Sequence, residues 1–527
     1  MIYPFSKNVL SENSLASTSN SSKSFIELMD TTLRDGEQTE GVSFSAGEKL
    51  ALAKKLLEEV KVDRIEIASA KVSALEHDSC RQIFSWAAGA GKLEKVEVLG
   101  FVDGTKSVDW IDSAGGRVLN LLCKGSKRHC TQQLKKSPQQ HFADIKETVL
   151  YAQSKGFIVN AYLEDFSNGV KEDLSYVLDI CEGLFSLGVK RIMLADTLGV
   201  FSPEDVRKYV PLVIKKFPGH LFDFHAHNDY GVAVANSFEA VMAGCSGVHT
   251  TVNGMGERAG NTPLEQFVPL LLDFGNFSCN ANELKFSSIS KLVELFSGRR
   301  ISKNHPIIGA VVFTQTAGIH ADGDKKGNLY KSKLSAKRFG RKTRYALGKL
   351  SGKASIEMAL REYGIQLAPE KLKEVLAKVV ALGGKKESVT KEDLLFLVDE
   401  TQSNGHAKSF EVVKYKMVSE SGKKPLAKIN VLIGGKKYSA KAYGDGGYDA
   451  FVKAMKKIFE KKKISFPELT DYEVRIPVGG KTDALVETKI IWKRGNRVIE
   501  TVGVSTDQLE AAIKATERMA NIVLLLS

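Results

Sequence analysis

Two histidines lie two residues apart in His225-Ala-His227-Asn-Asp229, inside the apolar run LFDFHAH. In an extended strand that spacing points both imidazoles to one face, which is metal-ligand geometry. Two distant stretches hold residues that could complete the set. Asp30-Thr-Thr-Leu-Arg34-Asp35-Gly-Glu37-Gln38 offers the Asp35 carboxylate, and Asn253-Gly-Met-Gly-Glu257-Arg258-Ala-Gly-Asn261 offers the Asn261 carboxamide. Two imidazoles, a carboxylate and a carboxamide suit Zn²⁺, Mn²⁺ or Mg²⁺, and ligand type does not choose among them. The plainer reading is two histidines with ordinary hydrogen bonds; Asp35 and Asn261 at predicted strand ends favour the metal. A divalent ion with open positions could chelate an α-keto acid and polarise its carbonyl. Arg34 could stabilise a developing alkoxide, pair with Glu66, or do both. Thr197 could donate to a substrate carboxylate or cap its strand. Glu164 could relay protons or orient a ligand from behind. His320, in Gly-Ile-His320-Ala-Asp322, is a candidate general base, or a loop histidine with a structural hydrogen bond.

These residues need a scaffold that brings them together. Between Phe25 and Phe277 eight apolar strand candidates alternate with helical patterns: FIELMD, VDRIEIA, VEVLGFVD, RVLNLL, FIVNAYLED, RIMLAD, LFDFHAH and GVHTTVNG. The first helix opens with an S-x-x-E capping box, Ser45 and Glu48. Leu50, Ala53, Leu56, Leu57 and Val60 then share one face at helical spacing. A later helix opens at Ser202-Pro203, with Ser202 as N-cap. Eight strand–helix units predict a (β/α)8 barrel, whose active sites sit at strand C-terminal ends. An open doubly wound sheet uses the same alternation, but no G-x-G-x-x-G motif is present.

Beyond the barrel the character changes twice. Residues 286–405 read as a helical, basic connecting subdomain. Residues 406–527 read as an α+β domain of two βββα repeats, with hairpin turns at Gly434-Gly435 and Arg494-Gly495-Asn496. The catalytic barrel is assigned to 24–285, and residues 1–23, rich in Ser and Asn, to a flexible tail. The 527 residues are 43% hydrophobic and 26% charged, which excludes wholesale disorder. No apolar run is long enough to cross a membrane, and no secretory signal is evident. Six cysteines without a CxxC pair suggest free thiols in a reducing compartment, and a cytoplasmic location. The formal net charge is +13. The excess lies mainly in the second half and suits phosphorylated small molecules or a solvated surface.

DTTLRDGEQ, HAHND, NGMGERAGNTPLE, FTQTAGIHADGD and LGKLSGK occur in one order along the chain. Together they resemble the α-isopropylmalate synthase/citramalate synthase family of the DRE-TIM metallolyases, from about residue 25 onward. The resemblance implies a Claisen condensation of acetyl-CoA with an α-keto acid, releasing CoA, in branched-chain amino acid biosynthesis. It implies that Asp35, His225, His227 and Asn261 hold a divalent metal. It further implies that Arg34 polarises the keto oxygen, Thr197 holds the carboxylate, and Glu164 and His320 serve acid–base work supported by Asp322 and Tyr330. YLEDFSNG resembles the citramalate branch, with Leu99, Leu122 and Tyr162 as a bulky wall favouring pyruvate. α-Ketoisovalerate, the isopropylmalate substrate in leucine biosynthesis, differs by methyl groups worth only about 1–3 kcal/mol in such a pocket. The resemblance also implies a homodimer and a C-terminal domain that binds a branched-chain amino acid. GDGGYDA, with Tyr448 and Asp449, matches the family's effector loop, and its helix N-terminus favours a carboxylate.

Three rivals remain at this level. A lyase of the same superfamily would usually stop after the barrel. A carboxyltransferase barrel needs a modified lysine, and no strand-end lysine is evident. A non-catalytic amino-acid sensor or nucleic-acid binder would use the basic run at 331–344, but no aromatic-interleaved RNA motif accompanies it, so neither nucleic acid nor membrane is expected as a partner.

Overall fold

The computed structural model describes residues 23–315, 327, 329, 332–345, 347–349, 351–361, 365–384, 389, 391–402, 410–475, 486–495 and 497–525. They form two compact units: the described residues up to Val312 with Lys333–Lys342, and the described residues of 313–332 and 343–527.

The first unit is built on a closed barrel of eight parallel strands. They are β1 (Glu27–Asp30), β2 (Arg64–Ser69), β3 (Val96–Phe101), β4 (Val118–Lys124), β5 (Ile158–Glu164), β6 (Arg191–Asp196), β7 (Leu221–Ala226) and β8 (Gly247–Thr250). Each falls on one of the eight predicted segments. β1 pairs with β2 on one side and with β8 on the other, closing the cylinder. The predicted barrel therefore displaces the open sheet. The strands are apolar at nearly every outward position because helices cover them. Val98, Leu119, Val159, Ile192 and Phe222 are all buried.

The barrel interior is unusually polar. At its base Arg64 reaches Glu97 at 3.0 Å and Asp223 at 2.5 Å, while Arg191 reaches Asp223 and Glu27, each at 2.6 Å. In the next layers Asn120 faces Asn160, Leu122 faces Tyr162, and Lys124 faces Glu164 across the in-register pair β4–β5. Period-2 alternation sends each of these pairs to the same side of the sheet.

Local signals hold where the chain itself makes the contact. Ser45 and Glu48 form the capping box of the helix Ala46–Lys54. Ser202 and Asp205 form another, with Pro203 in the first turn. Of the expected face of the first helix, Ala53, Leu56, Leu57 and Val60 are buried, and Lys49 joins them. Leu50 is half-buried, whereas Lys49, Leu52 and Ala53 are buried. Lys49 is buried because it inserts between Glu37 at 2.6 Å and Glu76, and the helix continues as a π-helical turn, Lys55–Val60.

In the second unit the helices Lys353–Arg361, Pro369–Gly383 and Lys391–Gln402 bury Ile356, Leu372, Val375, Val379 and Leu394 among themselves. Two antiparallel sheets follow. The first is β9 (Phe410–Val418), β10 (Leu426–Ile433) and β11 (Lys436–Tyr443); the second is β12 (Glu468–Arg475), β13 (Val486–Arg494) and β14 (Arg497–Ser505). Each precedes a helix, Gly447–Lys461 or Gln508–Leu525, so the βββα repeat is present twice. One core joins both copies through Phe410, Ile429, Phe451, Met455, Trp492 and Met519. Gly434 and Gly435 turn the β10–β11 hairpin at φ 54° and 77°, the left-handed pair a tight hairpin turn requires. None of the six cysteines forms a disulfide. No described helix is long and apolar enough to cross a membrane.

Candidate active site

The C-terminal ends of the barrel strands gather the polar residues. After β1 the chain turns at once. Asp30 accepts from Thr32 N at 3.0 Å, and Thr32 Oγ1 accepts from Val252 N at 2.8 Å. These bonds fasten the turn to the segment after β8 and leave Asp35 facing β7. His225 is on β7, and His227 lies just past it. Asn261 is bridged to His227 through the backbone.

Asp35 Oδ2 lies 3.1 Å from His225 Nε2 and 3.7 Å from His227 Nε2, and the two Nε2 atoms are 3.4 Å apart. Donors sharing one ion at bond lengths of about 2.1 Å are separated by about 3.0–3.4 Å. The approach of Asp35 to His225 is close but misaligned, for neither carboxylate oxygen accepts a sound hydrogen bond among the described residues. Both polar atoms of the Asn261 side chain and His227 Nδ1 are likewise buried without such partners. Buried lone pairs left without protons are costly. A cation held by Asp35, Asn261 Oδ1 and the two Nε2 atoms satisfies the acceptors among them, the Asp35 oxygens and Asn261 Oδ1, and this set fits one. A side chain at Gly256 would crowd Asn261 Oδ1, at 2.9 Å from its Cβ, so glycine keeps the carboxamide clear.

Charge reinforces the arrangement. Burial alone would raise the Asp35 pKa, but the Arg34 guanidinium and the two imidazoles hold it well below the carboxylate range. Burial pushes His227 down to about 4, so its ring is neutral at pH 7 and has a lone pair to give. Arg34 donates Nε to Glu66 at 2.6 Å and NH2 to Tyr162 Oη at 3.2 Å, with NH1 3.4 Å from Asp35. Burial opposes its charge, yet Glu66 and Asp35 keep it firmly protonated. Arg34 thus pairs with Glu66 and also flanks the cation site.

The remaining expected residues distribute as follows. Leu99, Tyr162, Met29, Met193 and Ala195 form one buried cluster, with Leu122 packed against it. Tyr162 is more than an apolar wall, because its hydroxyl donates to Glu66 at 3.1 Å. Thr197 Oγ1 accepts from Asp165 N at 2.9 Å, which leaves its own proton to donate. Glu164 pairs with Lys124. Asp196 is structural, accepting from Ser167, Val200 N and Phe201 N. Arg258, in the loop after β8, clamps Asp229 at 2.9 Å through two nitrogens and donates to Thr197 O at 2.8 Å. His320, Asp322 and Tyr330 lie outside the described residues. In the second unit Asp449 is occupied locally, accepting from Asp445 N at 2.9 Å and pairing with Lys453 at 2.7 Å. Tyr448 Oη meets Thr516 Oγ1 at 2.6 Å.

Two residues escape a reading of the sequence. Lys124 is a strand-end lysine after all: β4 runs two residues past the apolar segment RVLNLL, and the ammonium sits inside the rim. His249 was hidden in GVHTTVNG, although its inward register on β8 could have marked it. Its Nδ1 lies 3.3 Å from His225 Nδ1 and 3.1 Å from Tyr162 Oη.

A closed parallel barrel with a buried two-histidine, one-carboxylate cluster at its strand ends defines a (β/α)8 enzyme with a candidate metal centre. Comparison with known proteins narrows the class. Residues 25–295 match the HMGL-like family, 307–387 the homocitrate synthase post-HMGL domain-like family, and 388–524 the LeuA allosteric (dimerisation) domain. A putative (R)-citramalate synthase of Methanosphaerula palustris is 33% identical over 95% of this chain and 97% of its own. The (R)-citramalate synthase of Methanocaldococcus jannaschii is 29% identical over 95% and 99%. A probable 2-isopropylmalate synthase of Methanopyrus kandleri is 32% identical over 94% and 98%. The chain belongs to the α-isopropylmalate synthase/citramalate synthase family of HMGL-like barrels, and is an acyltransferase.

Proposed function

We propose that this chain condenses acetyl-CoA with an α-keto acid, releasing CoA, and that pyruvate is the keto acid and citramalate the product. The observation that carries the reading is the convergence of Asp35, His225 and His227 beside Arg34, with Asn261, its side chain partnerless, on backbone bridged to His227. A divalent cation held by these four residues would polarise the keto group of the bound acid. Arg34 adds fixed positive charge where the keto oxygen becomes an alkoxide. Thr197, its hydroxyl oriented by Asp165 N, donates to the substrate carboxylate. His320, supported by Asp322 and Tyr330, removes a methyl proton of acetyl-CoA. The resulting enol carbon bonds to the keto carbon, and Glu164, held by Lys124, handles protons at the oxygen. Water then adds to the thioester, and CoA leaves as the thiol.

Leu99, Leu122 and Tyr162 support pyruvate, since they fill the barrel mouth with bulk. The 2-isopropylmalate synthase relative supports α-ketoisovalerate as the second reading. We assign residues 406–527 to regulation and dimerisation, consistent with the LeuA-type match. The effector is a branched-chain amino acid, in isoleucine or leucine biosynthesis, and the enzyme works in the cytoplasm. The helix start beside GDGGYDA would hold the effector's carboxylate, Asp445 and Asp449 being taken up by Lys453. Thiol release from acetyl-CoA, measured with pyruvate and with α-ketoisovalerate, tests the proposal. Release with pyruvate well above the other acid is expected, and it should vanish on chelation and return with added divalent metal. No release with any keto acid would reject it.

A further inference from the structure

The barrel interior holds a histidine that the reaction above does not use. His249 is buried on β8, between the site and the polar base. Its Nδ1 lies 3.3 Å from His225 Nδ1, and its Nε2 lies 3.3 Å from Asp223 Oδ2. Asp223 is itself fixed by Arg64 and Arg191.

Proton bookkeeping leaves one arrangement compatible with metal binding. His225 can offer Nε2 as a ligand only if its proton sits on Nδ1. That proton needs an acceptor, and the group within reach is His249 Nδ1. The ring proton of His249 must then be on Nε2, where Asp223 accepts it. Tyr162 Oη stands 3.1 Å from both Glu66 Oε2 and His249 Nδ1, and the charged carboxylate is the stronger acceptor, so the hydroxyl proton goes to Glu66 and the His249 lone pair is left to His225. His227 provides the contrast: its Nδ1 has no hydrogen-bond partner among the described residues.

We propose that His249 is a positioning residue for the metal centre: Asp223 sets its tautomer, and it in turn sets the tautomer and ring orientation of the ligand His225. This rests on the reading of Asp35, His225, His227 and Asn261 as metal ligands. Carboxylate–histidine relays behind a metal ligand fix ring orientation and raise ligand basicity, and losing one weakens metal binding about 10–100-fold. Here the relay passes through a second imidazole, so a side chain on β8 controls a ligand on the neighbouring β7.

The test compares two substitutions of nearly equal shape in the full-length chain, His249→Leu and His249→Asn. Only asparagine retains an oxygen able to accept from His225. Metal-stripped proteins are titrated with Co²⁺ against a competing chelator, and the visible absorption band is recorded. His249→Leu should bind Co²⁺ about 10–100-fold more weakly than wild type, with a shifted band. His249→Asn should keep most of the affinity, and the metal-free melting temperatures of the two variants should match. Equal affinity for His249→Leu and wild type, or equal losses in both variants, would overturn the proposal. Wild-type protein that binds no Co²⁺ would instead reject the metal site itself. A measurement on wild type is independent of whether the variants fold. In the Zn²⁺-loaded protein with ¹⁵N-labelled histidine, the proton should sit on Nδ1 of His225 and on Nε2 of His249. The reverse assignment would also overturn it.

Discussion

Arg34 shows why residue identity, and not charge alone, decides this site. Its guanidinium bonds Glu66 and Tyr162 while standing beside Asp35. A lysine carries the same charge but cannot span that fork. Arg34→Gln should lower the rate of thiol release about 10²–10³-fold, the usual cost of losing one charge-stabilising donor. Arg34→Lys should recover little of it. Steady-state rates at saturating pyruvate check both. Leu99 gives a prediction about selectivity. It packs with Tyr162 and Met193, so Leu99→Ala should open space for a branched keto acid. The ratio of kcat/KM for α-ketoisovalerate over pyruvate should rise roughly 10–200-fold, the equivalent of about 1–3 kcal/mol. An unchanged ratio would remove Leu99 from the specificity wall. Asp35, His225 and His227, which the fold brings together beside Arg34, were legible as candidates in the sequence because HxH and Arg-Asp are local patterns. Lys124 and His249 were not, because strand ends and inward register depend on neighbours far along the chain.

At the scale of elements, helix-to-strand fastening sets the rim. His141, on the helix Pro138–Ser154, accepts from Lys124 N at 3.2 Å, and burial pushes its pKa down to about 4. In the unfolded chain it titrates near 6.5. Between those values the unfolded state binds the proton that the native state refuses, so stability falls as pH drops from about 6.5 toward 4, by up to ~1.4 kcal/mol per unit. His141→Gln keeps an acceptor and has no proton to gain, so its denaturation midpoint should lose less over that range. A second contact is backbone against backbone. A Cβ at Gly169 would collide with the Gly125 carbonyl beyond β4. Gly169→Ala should therefore destabilise the barrel by about 1–3 kcal/mol, measured by chemical denaturation. The capping box at Ser45 and the N-cap at Ser202 were readable because their partners lie within one turn. The burial of Lys49 on the first helix was not, because Glu37 and Glu76 draw it inward from other segments.

For the whole molecule, the βββα duplication forms one shared core in a unit distinct from the barrel. A chain ending at Gln402 should lose inhibition by isoleucine or leucine and sediment as a monomer, whereas the full chain should sediment as a dimer. Thiol-release assays with each amino acid and analytical ultracentrifugation check this; retained inhibition would place the effector elsewhere. What the sequence determined by itself is the periodic part: eight alternating units, two βββα repeats and the motifs that end the strands. These follow from backbone geometry and hydrophobic period, which are local properties. Only the tertiary structure decided which lone pairs face one another. The Nε2 atoms of His225 and His227 meet Asp35, and His249 stands behind His225, because barrel closure sets the stagger between strands. Stagger is a long-range property that no single segment of the chain encodes.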